Sequence, residues 1–296
     1  MMNLKKISIL SALSLSLFLT GCGKQEEKDV NASVGEAVNY TITGIEPGAG
    51  ISDATHRVLD GYENLADWDI EESSTAGMLI LLDEAIQNEE PIVVTGWTPH
   101  WMFEEFDLKF LEDPKNIYGG TESIHTLARL GFDEDMPNAY KILDAFHWEV
   151  EDMQAVMAEA EKSSFEEAAE NWVTNNEEKV NEWLAGTEKV DGETIRVVSV
   201  PWESEQASSN VIKYVLTEQG YNVELTEVDP AVMFQAVAMD SADVTVAPWL
   251  PMTHKTFYEQ HKDNVIDLGP NMEGARSGLA VPTYVDIDSI EDLEAK

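Results

Sequence analysis

The chain carries one cysteine, Cys22, in 296 residues. A single thiol excludes any intrachain disulfide and any cysteine-built metal cluster. Basic residues are also scarce: 18 Lys and Arg stand against 57 Asp and Glu, a formal net charge of −39. Phosphate backbones and anionic lipid surfaces are met with Lys and Arg, so this balance argues against nucleic acid or an anionic membrane face as direct partners. The same acidity keeps a protein soluble in salt or alkali and fits a saline or alkaline habitat. Catalytic signatures are missing as well. The sequence has no G-x-S-x-G elbow, no H-E-x-x-H helix and no G-x-x-x-x-G-K-[ST] phosphate loop. His100 and His125 lack the histidine partner at i+3 or i+4 that metal sites usually show, and His147 beside Trp148 reads as structural. The expectation is a protein that is not an enzyme and has no cofactor or resident metal.

What is present is enough for a folded core: 43% of residues are hydrophobic. The length suits two domains or one large one. The longest apolar stretch, Ile7 to Leu19, is short for a bilayer span, which needs about 20 residues. It follows Lys5 and Lys6 and runs into Leu19-Thr20-Gly21-Cys22. That arrangement reads as a signal peptide over residues 1–22, and its end resembles the bacterial lipoprotein cleavage box, in which the cysteine is lipidated. Residues 23–39 are polar with no apolar period and read as a flexible tether, with the sequon at Asn31 taken as chance. The expectation is an extracytoplasmic globule, monomeric and held to the cell membrane by a lipid on Cys22.

Beyond the tether the chain holds a weak internal repeat. In the first copy a strand-like run from Tyr40 to Ile45 leads through Pro47-Gly48-Ala49-Gly50 into a helix from Ser52 to about Gly61. A second helix follows over Ala76–Gln87, then a buried strand over Pro91–Thr95 that ends at Trp97-Thr98-Pro99. The second copy begins with a strand over Thr194–Val200, then Pro201-Trp202-Glu203 and a helix from about Ser208 to Gln219. A strand over Tyr221–Leu225, a short helix over Ala231–Met239 and a strand over Asp243–Ala247 complete it, ending at Trp249-Leu250-Pro251. The second copy reads β-α-β-α-β and the first is taken on the same plan, both ending their last strand on Trp-x-Pro, which predicts a parallel sheet in each half with helices on both faces. Between them, residues 121–186 read as an acidic helical stretch, with Trp148, Trp172 and Trp183 as packing residues. The expected architecture is α/β and two-lobed: a first lobe over 40–162 and a second over 163–296, the boundary falling between 160 and 192.

In parallel sheets ligands sit beyond the carboxyl ends of the strands. The Gly turn, Trp97, Trp202 and Trp249 all follow strand ends, so two facing lobes bring them to one cleft. An aromatic box without an obligate carboxylate suits a cation that carries no N–H donors, a quaternary ammonium, held by the negative ring faces. At the other end, a Gly turn opening a helix at Gly50-Ile51 presents free N–H groups and the positive helix end, suited to a carboxylate. His254, five residues after Trp249, is a further donor candidate, although a lone histidine is more often a surface or capping residue. The composite is a site for a small zwitterion.

Three runs carry a family resemblance: Gly96-Trp97-Thr98-Pro99-His100-Trp101-Met102-Phe103 with Leu108-Lys109-Phe110-Leu111-Glu112-Asp113-Pro114, Gly44-Ile45-Glu46-Pro47-Gly48-Ala49-Gly50-Ile51, and Ala247-Pro248-Trp249-Leu250-Pro251-Met252-Thr253-His254. The chain resembles the substrate-binding lipoproteins of glycine betaine/proline betaine ABC importers, in the circularly permuted segment order. The resemblance extends from about Ile42 to Leu293. It implies a periplasmic-binding-protein-like fold whose two lobes close on the ligand, with a membrane permease as partner. It also implies Trp97, Trp202 and Trp249 as the ammonium cage, and Gly50 and Ile51 amides with the His254 side chain as the carboxylate grip. Pro201-Trp202-Glu203-Ser204-Glu205 departs from the small residue or Asp usual beside this Trp. A choline- or carnitine-preferring protein of the same fold is the alternative; choline lacks a carboxylate and leaves the Gly50–Ile51 amides without a use.

Overall fold

The computed structural model describes residues 33–296. The expected signal peptide, Cys22, the sequon at Asn31 and residues 23–32 of the tether lie outside the described residues. The remainder of the expected tether is partly helical. Ser33 Oγ accepts the Glu36 N–H at 3.2 Å and the Glu36 carboxylate accepts the Ser33 N–H at 3.3 Å, a reciprocal cap on the turn Val34–Ala37.

Strands β1 (Thr41–Thr43), β2 (Asp69–Glu71) and β3 (Val94–Thr98) lie parallel in the order β2-β1-β3. Strands β6 (Thr194–Ser199), β7 (Asn222–Glu227) and β8 (Val244–Thr245) lie parallel in the order β7-β6-β8. First, second and third strand of each copy thus take the same places, and the repeat is visible in the sheet itself. The helices alternate with the strands as the patterns predict. Gly50–Gly61 and Thr75–Gln87 serve the first set, and Glu203–Glu218 and Pro230–Ala238 the second. Ser74 caps Thr75–Gln87 through the Gly77 N–H at 3.0 Å, and Pro230 opens its helix at a position where no N–H is needed.

Two strands join the sets: β5 (Thr121–Arg129) and β10 (Val265–Pro282), which run antiparallel to one another. β10 continues along β3 and β5 along β8, giving the order β2-β1-β3-β10-β5-β8-β6-β7. β4 (Leu108–Phe110) pairs with the end of β10, and β9 (Trp249–Leu250) with the start of β5. The stretch expected as helical from residue 121 therefore opens on a strand. Its inward positions Glu122, Ile124 and Thr126 alternate with half-exposed Ser123 and His125, the period of two that a strand requires. β10 escapes the sequence pattern because Gly269, Pro270 and Gly274 punctuate it; in the fold they lie in or beside three register shifts along the β5 pairing.

The expected helical layer is present from Pro137 onward. Met153, Val156 and Met157 are buried on Val150–Ala160, and Ala168, Ala169, Trp172 and Val173 on Phe165–Asn175. Both helices pack on Glu203–Glu218. Trp148, Trp172 and Trp183 form one buried cluster, edge-to-face at 5.5 Å and stacked at 5.9 Å. After β10 the chain returns to the first set: Asn64 donates to the carbonyls of Ile290 (2.9 Å) and Leu293 (2.7 Å), and the Trp68 indole to that of Glu294 (2.9 Å). No helix among the described residues is long and apolar enough to cross a membrane.

Candidate functional site

The first wall of the site comes from the turn after β1. Glu46-Pro47-Gly48-Ala49 is closed by Ala49 N–H to Glu46 O at 3.2 Å, with Gly48 at φ 86°. Pro second and Gly third is what this turn requires, since the third position has positive φ. The turn delivers Ala49 as N-cap of Gly50–Gly61, without a side-chain cap. Gly50 and Ile51 are therefore the first helical residues, whose N–H groups have no acceptor within the helix. Ile51 lines the cavity. Gly50 lies behind it against the loop 252–254: a Cβ there meets Thr253 O at 2.5 Å and His254 Cδ2 at 2.7 Å.

Each tryptophan of the expected cage is held by its own element. Trp97 sits on β3 opposite Ser277 of β10 and meets His100 edge-to-face at 4.6 Å. Trp202 is the N-cap of Glu203–Glu218, and its indole N–H donates to Glu46 Oε1 from the other set. Glu46 Oε2 in turn accepts the Thr75 N–H (2.9 Å) and hydroxyl (3.0 Å). Trp249 sits on β9 opposite Ile124, and its indole N–H donates to Glu205 Oε1. All three rings line one cavity, together with Ile51, Glu205 and His254.

His254 occupies the N-cap position of the helix Lys255–His261, but its side chain makes no capping hydrogen bond and does not reach the surface. It is fully buried, lines the cavity and stacks on Trp202 at 6.1 Å. Its Nδ1 accepts the Trp249 N–H at 2.9 Å, which places the proton of the neutral ring on Nε2. Burial drives its pKa down to about 3, so the ring is neutral at ordinary pH. Nε2 has no hydrogen-bond partner among the described residues. A buried donor without an acceptor is costly, and here it belongs to the cavity.

Five residues absent from the expected set complete the site. Glu205, 1% exposed, lines the cavity with Oε2 accepting the Ser204 hydroxyl at 2.6 Å. Burial lifts its pKa to about 7, with the Ser204 and Trp249 bonds opposing. Glu46 carries Trp202. Thr253 and Ser277 line the cavity and lie 3.0 Å apart. Glu122, on β5, accepts the Thr253 N–H (2.8 Å), the Thr253 hydroxyl and the Met252 N–H, fixing the loop that carries His254. One signal was available for Glu205: it lies three residues after Trp202, on the same face of a helix.

At the rim, His100 accepts the Met102 N–H on Nδ1 at 3.1 Å and turns Nε2 toward Glu203 Oε2, 3.5 Å away. Burial lowers the His100 pKa to about 4; burial, then the nearby Glu161 charge, raises that of Glu203 to about 7. His125 bonds Asp267 at 2.9 Å and half-exposed His147 lies 3.6 Å from Glu149, both away from the cavity.

A family model described as the substrate binding domain of ABC-type glycine betaine transport systems matches residues 10–175 and 193–296. The glycine betaine/carnitine transport binding protein GbuC of Listeria monocytogenes is 48% identical over 296 residues, 98% of this chain and 99% of that one. Among solved structures, lactococcal OpuAC in its closed, glycine betaine-bound conformation is 40% identical, with a TM-score of 0.46 over 52% of this chain and 60% of that chain. The glycine/betaine/L-proline-binding protein ProX of Borrelia burgdorferi is 34% identical, with a TM-score of 0.49 over 53% and 63%. This chain thus spans under two thirds of the length of those two solved chains.

Proposed function

The chain belongs to the substrate-binding domains of ABC-type glycine betaine transport systems, and from that premise we propose that it captures glycine betaine or a related betaine in the cavity between Trp97, Trp202 and Trp249. It is a transport binding protein and not an enzyme. As the substrate-binding component of an importer it works outside the cytoplasm and passes its ligand to a membrane permease.

One observation carries the ligand class. Three indole rings and an unpartnered imidazole donor share a small cavity whose wall includes the second residue of a helix. The rings attract a trimethylammonium group, each contact being worth about 0.5–2 kcal/mol when desolvated. The His254 Nε2–H and the amides of Gly50 and Ile51 are donors for the ligand's carboxylate. Carnitine is the second reading, favoured by the name of the Listeria relative.

We read the division between lobes at the two crossings of β5 and β10, near 120 and near 276, rather than at one point between 160 and 192. On this reading Trp97, Glu46 and the Gly50 helix belong to one lobe, and Trp202, Glu205, Trp249 and His254 to the other. Ligand, the Glu46–Trp202 bond and the His100–Glu203 pair then all span the closed cleft. The lipid anchor on Cys22 rests on the cleavage-box resemblance, and a fatty-acid label persisting in Cys22→Ala would remove it.

The test is intrinsic Trp fluorescence titrated in parallel with glycine betaine, proline betaine, carnitine and choline. A saturable change with the carboxylate-bearing ligands and little with choline is expected. Equal response to choline removes the carboxylate end, and no response to any ligand removes the cage.

A further inference from the structure

A quaternary ammonium has no N–H to donate, so a carboxylate beside it makes no hydrogen bond and acts only through its charge. Glu205 is such a carboxylate. Its two oxygens are already occupied, one by the Trp249 indole N–H and one by the Ser204 hydroxyl, while the side chain lines the cavity. No Lys or Arg among the described residues pairs with it. His254, the other titratable side chain in the cavity, is neutral. Of the nearest other carboxyls, Glu46 bonds the Trp202 indole and Glu203 begins the same helix and faces His100. A buried carboxylate with two donors and no cation lacks a counter-charge.

We propose that Glu205 supplies the negative charge that selects a permanently cationic head group in the tryptophan cage, losing its proton as the ligand enters. This rests on the cage reading above. Burial of the Glu205 side chain favours the neutral acid. Entry of the cation reverses that preference: the Glu205 O–H bond breaks heterolytically, the proton leaves to solvent, and the carboxylate stays beside the ammonium. The charge also reaches the cage through the Trp249 N–H, since a carboxylate on the indole nitrogen makes the ring face more negative. Betaine affinity therefore rises with pH through the range where free Glu205 holds its proton.

The experiment is titration calorimetry of the full chain and Glu205→Gln with two ligands of nearly the same shape. One is glycine betaine; the other is 3,3-dimethylbutyrate, in which a carbon replaces the ammonium nitrogen and the carboxylate is kept. Gln retains a carbonyl acceptor for the Trp249 indole. The expected result is a betaine affinity lower by roughly 10- to 100-fold in the variant, with the carbon analogue, an anion whose head group is uncharged, bound no more weakly. Repeating the titration near pH 7 in buffers of different ionisation enthalpy should show proton release with betaine in the wild type and none in the variant. Equal weakening of both ligands, or no change in either, overturns the proposal and leaves Glu205 as a support for Trp249. Should the carbon analogue bind neither protein, or the variant not fold, proton release by the wild type decides, and its absence overturns the proposal. A wild type that binds no betaine overturns the cage reading and this inference with it.

Discussion

His100 and His254 are buried in the same way: each gives Nδ1 to a backbone N–H nearby in sequence and turns Nε2 toward the cleft. Burial lowers both pKa values, so below about pH 6.5 the unfolded chain takes up protons that the folded protein refuses. Their contribution is fully present above that pH and is lost as the pH falls toward 4 for His100 and 3 for His254. Glu203 runs the other way, gaining stability as the pH falls through 7, because the folded protein binds its proton first. His100→Asn isolates one of these terms, since an Asn side-chain oxygen also accepts the N–H two residues on. Between pH 7 and 4.5 the wild type is expected to lose about 2 kcal/mol more than this variant, measured as the difference between their melting curves. The acidic members of the site were hidden for a different reason. In a chain with 57 acidic residues, Glu46 and Glu122 carry no sequence signal until the fold places them against an indole or a loop, and Glu205 carries only its spacing from Trp202. The rings and the Gly50-Ile51 turn were legible because Trp and Gly at strand ends are uncommon choices with few structural uses.

At the scale of the elements, the start of the helix Gly50–Gly61 closely approaches the loop 252–254. The Gly50 position tolerates no side chain because Thr253 O and His254 stand where a Cβ goes. Its backbone is helical, so the demand is for space and not for positive φ. Gly50→Ala is expected to cost about 1–3 kcal/mol of overpacking, all of it in the closed arrangement. Betaine affinity should fall by roughly 10- to 100-fold with little change in the far-ultraviolet spectrum or melting temperature of the ligand-free protein. Unchanged affinity would mean that ligand binding does not need this approach. The elements also show where sequence patterns stop. β1, β3, β6 and β8 were legible from short apolar runs bounded by turns. β5 was not, since Glu122 and Thr126 occupy inward positions that a pattern reader assigns to apolar residues. β10 was not, since glycines and a proline that mark bulges also mark loops.

For the molecule as a whole the governing quantity is charge. With a formal charge of −39, mutual repulsion opposes the compact state, and salt relieves it by screening. Arg129 and Arg196 both bond buried Asp243, which is held below the usual carboxylate range by those bonds against the opposing effect of burial. The melting temperature should therefore rise by several degrees from about 10 mM to about 500 mM NaCl. Affinity for a betaine, which carries no net charge, should change far less over the same range. A melting temperature that falls with added salt would show that ion pairs, and not repulsion, dominate.

The matching strand orders β2-β1-β3 and β7-β6-β8 amount to an approximate symmetry, and the site inherits it. Exchanging the two sets exchanges Trp97 with Trp249, each followed two residues later by a cis proline, and exchanges the helix start at Ala49-Gly50 with that at Trp202-Glu203. The first pair has stayed alike, indole for indole. The second pair has diverged: Ala49 leaves bare backbone amides, while Trp202 covers the same place with a ring. A ligand with two unlike ends has only one way to lie between two such halves. The head-to-tail direction in which we place the zwitterion is thus set by a broken symmetry at a single pair of helix starts.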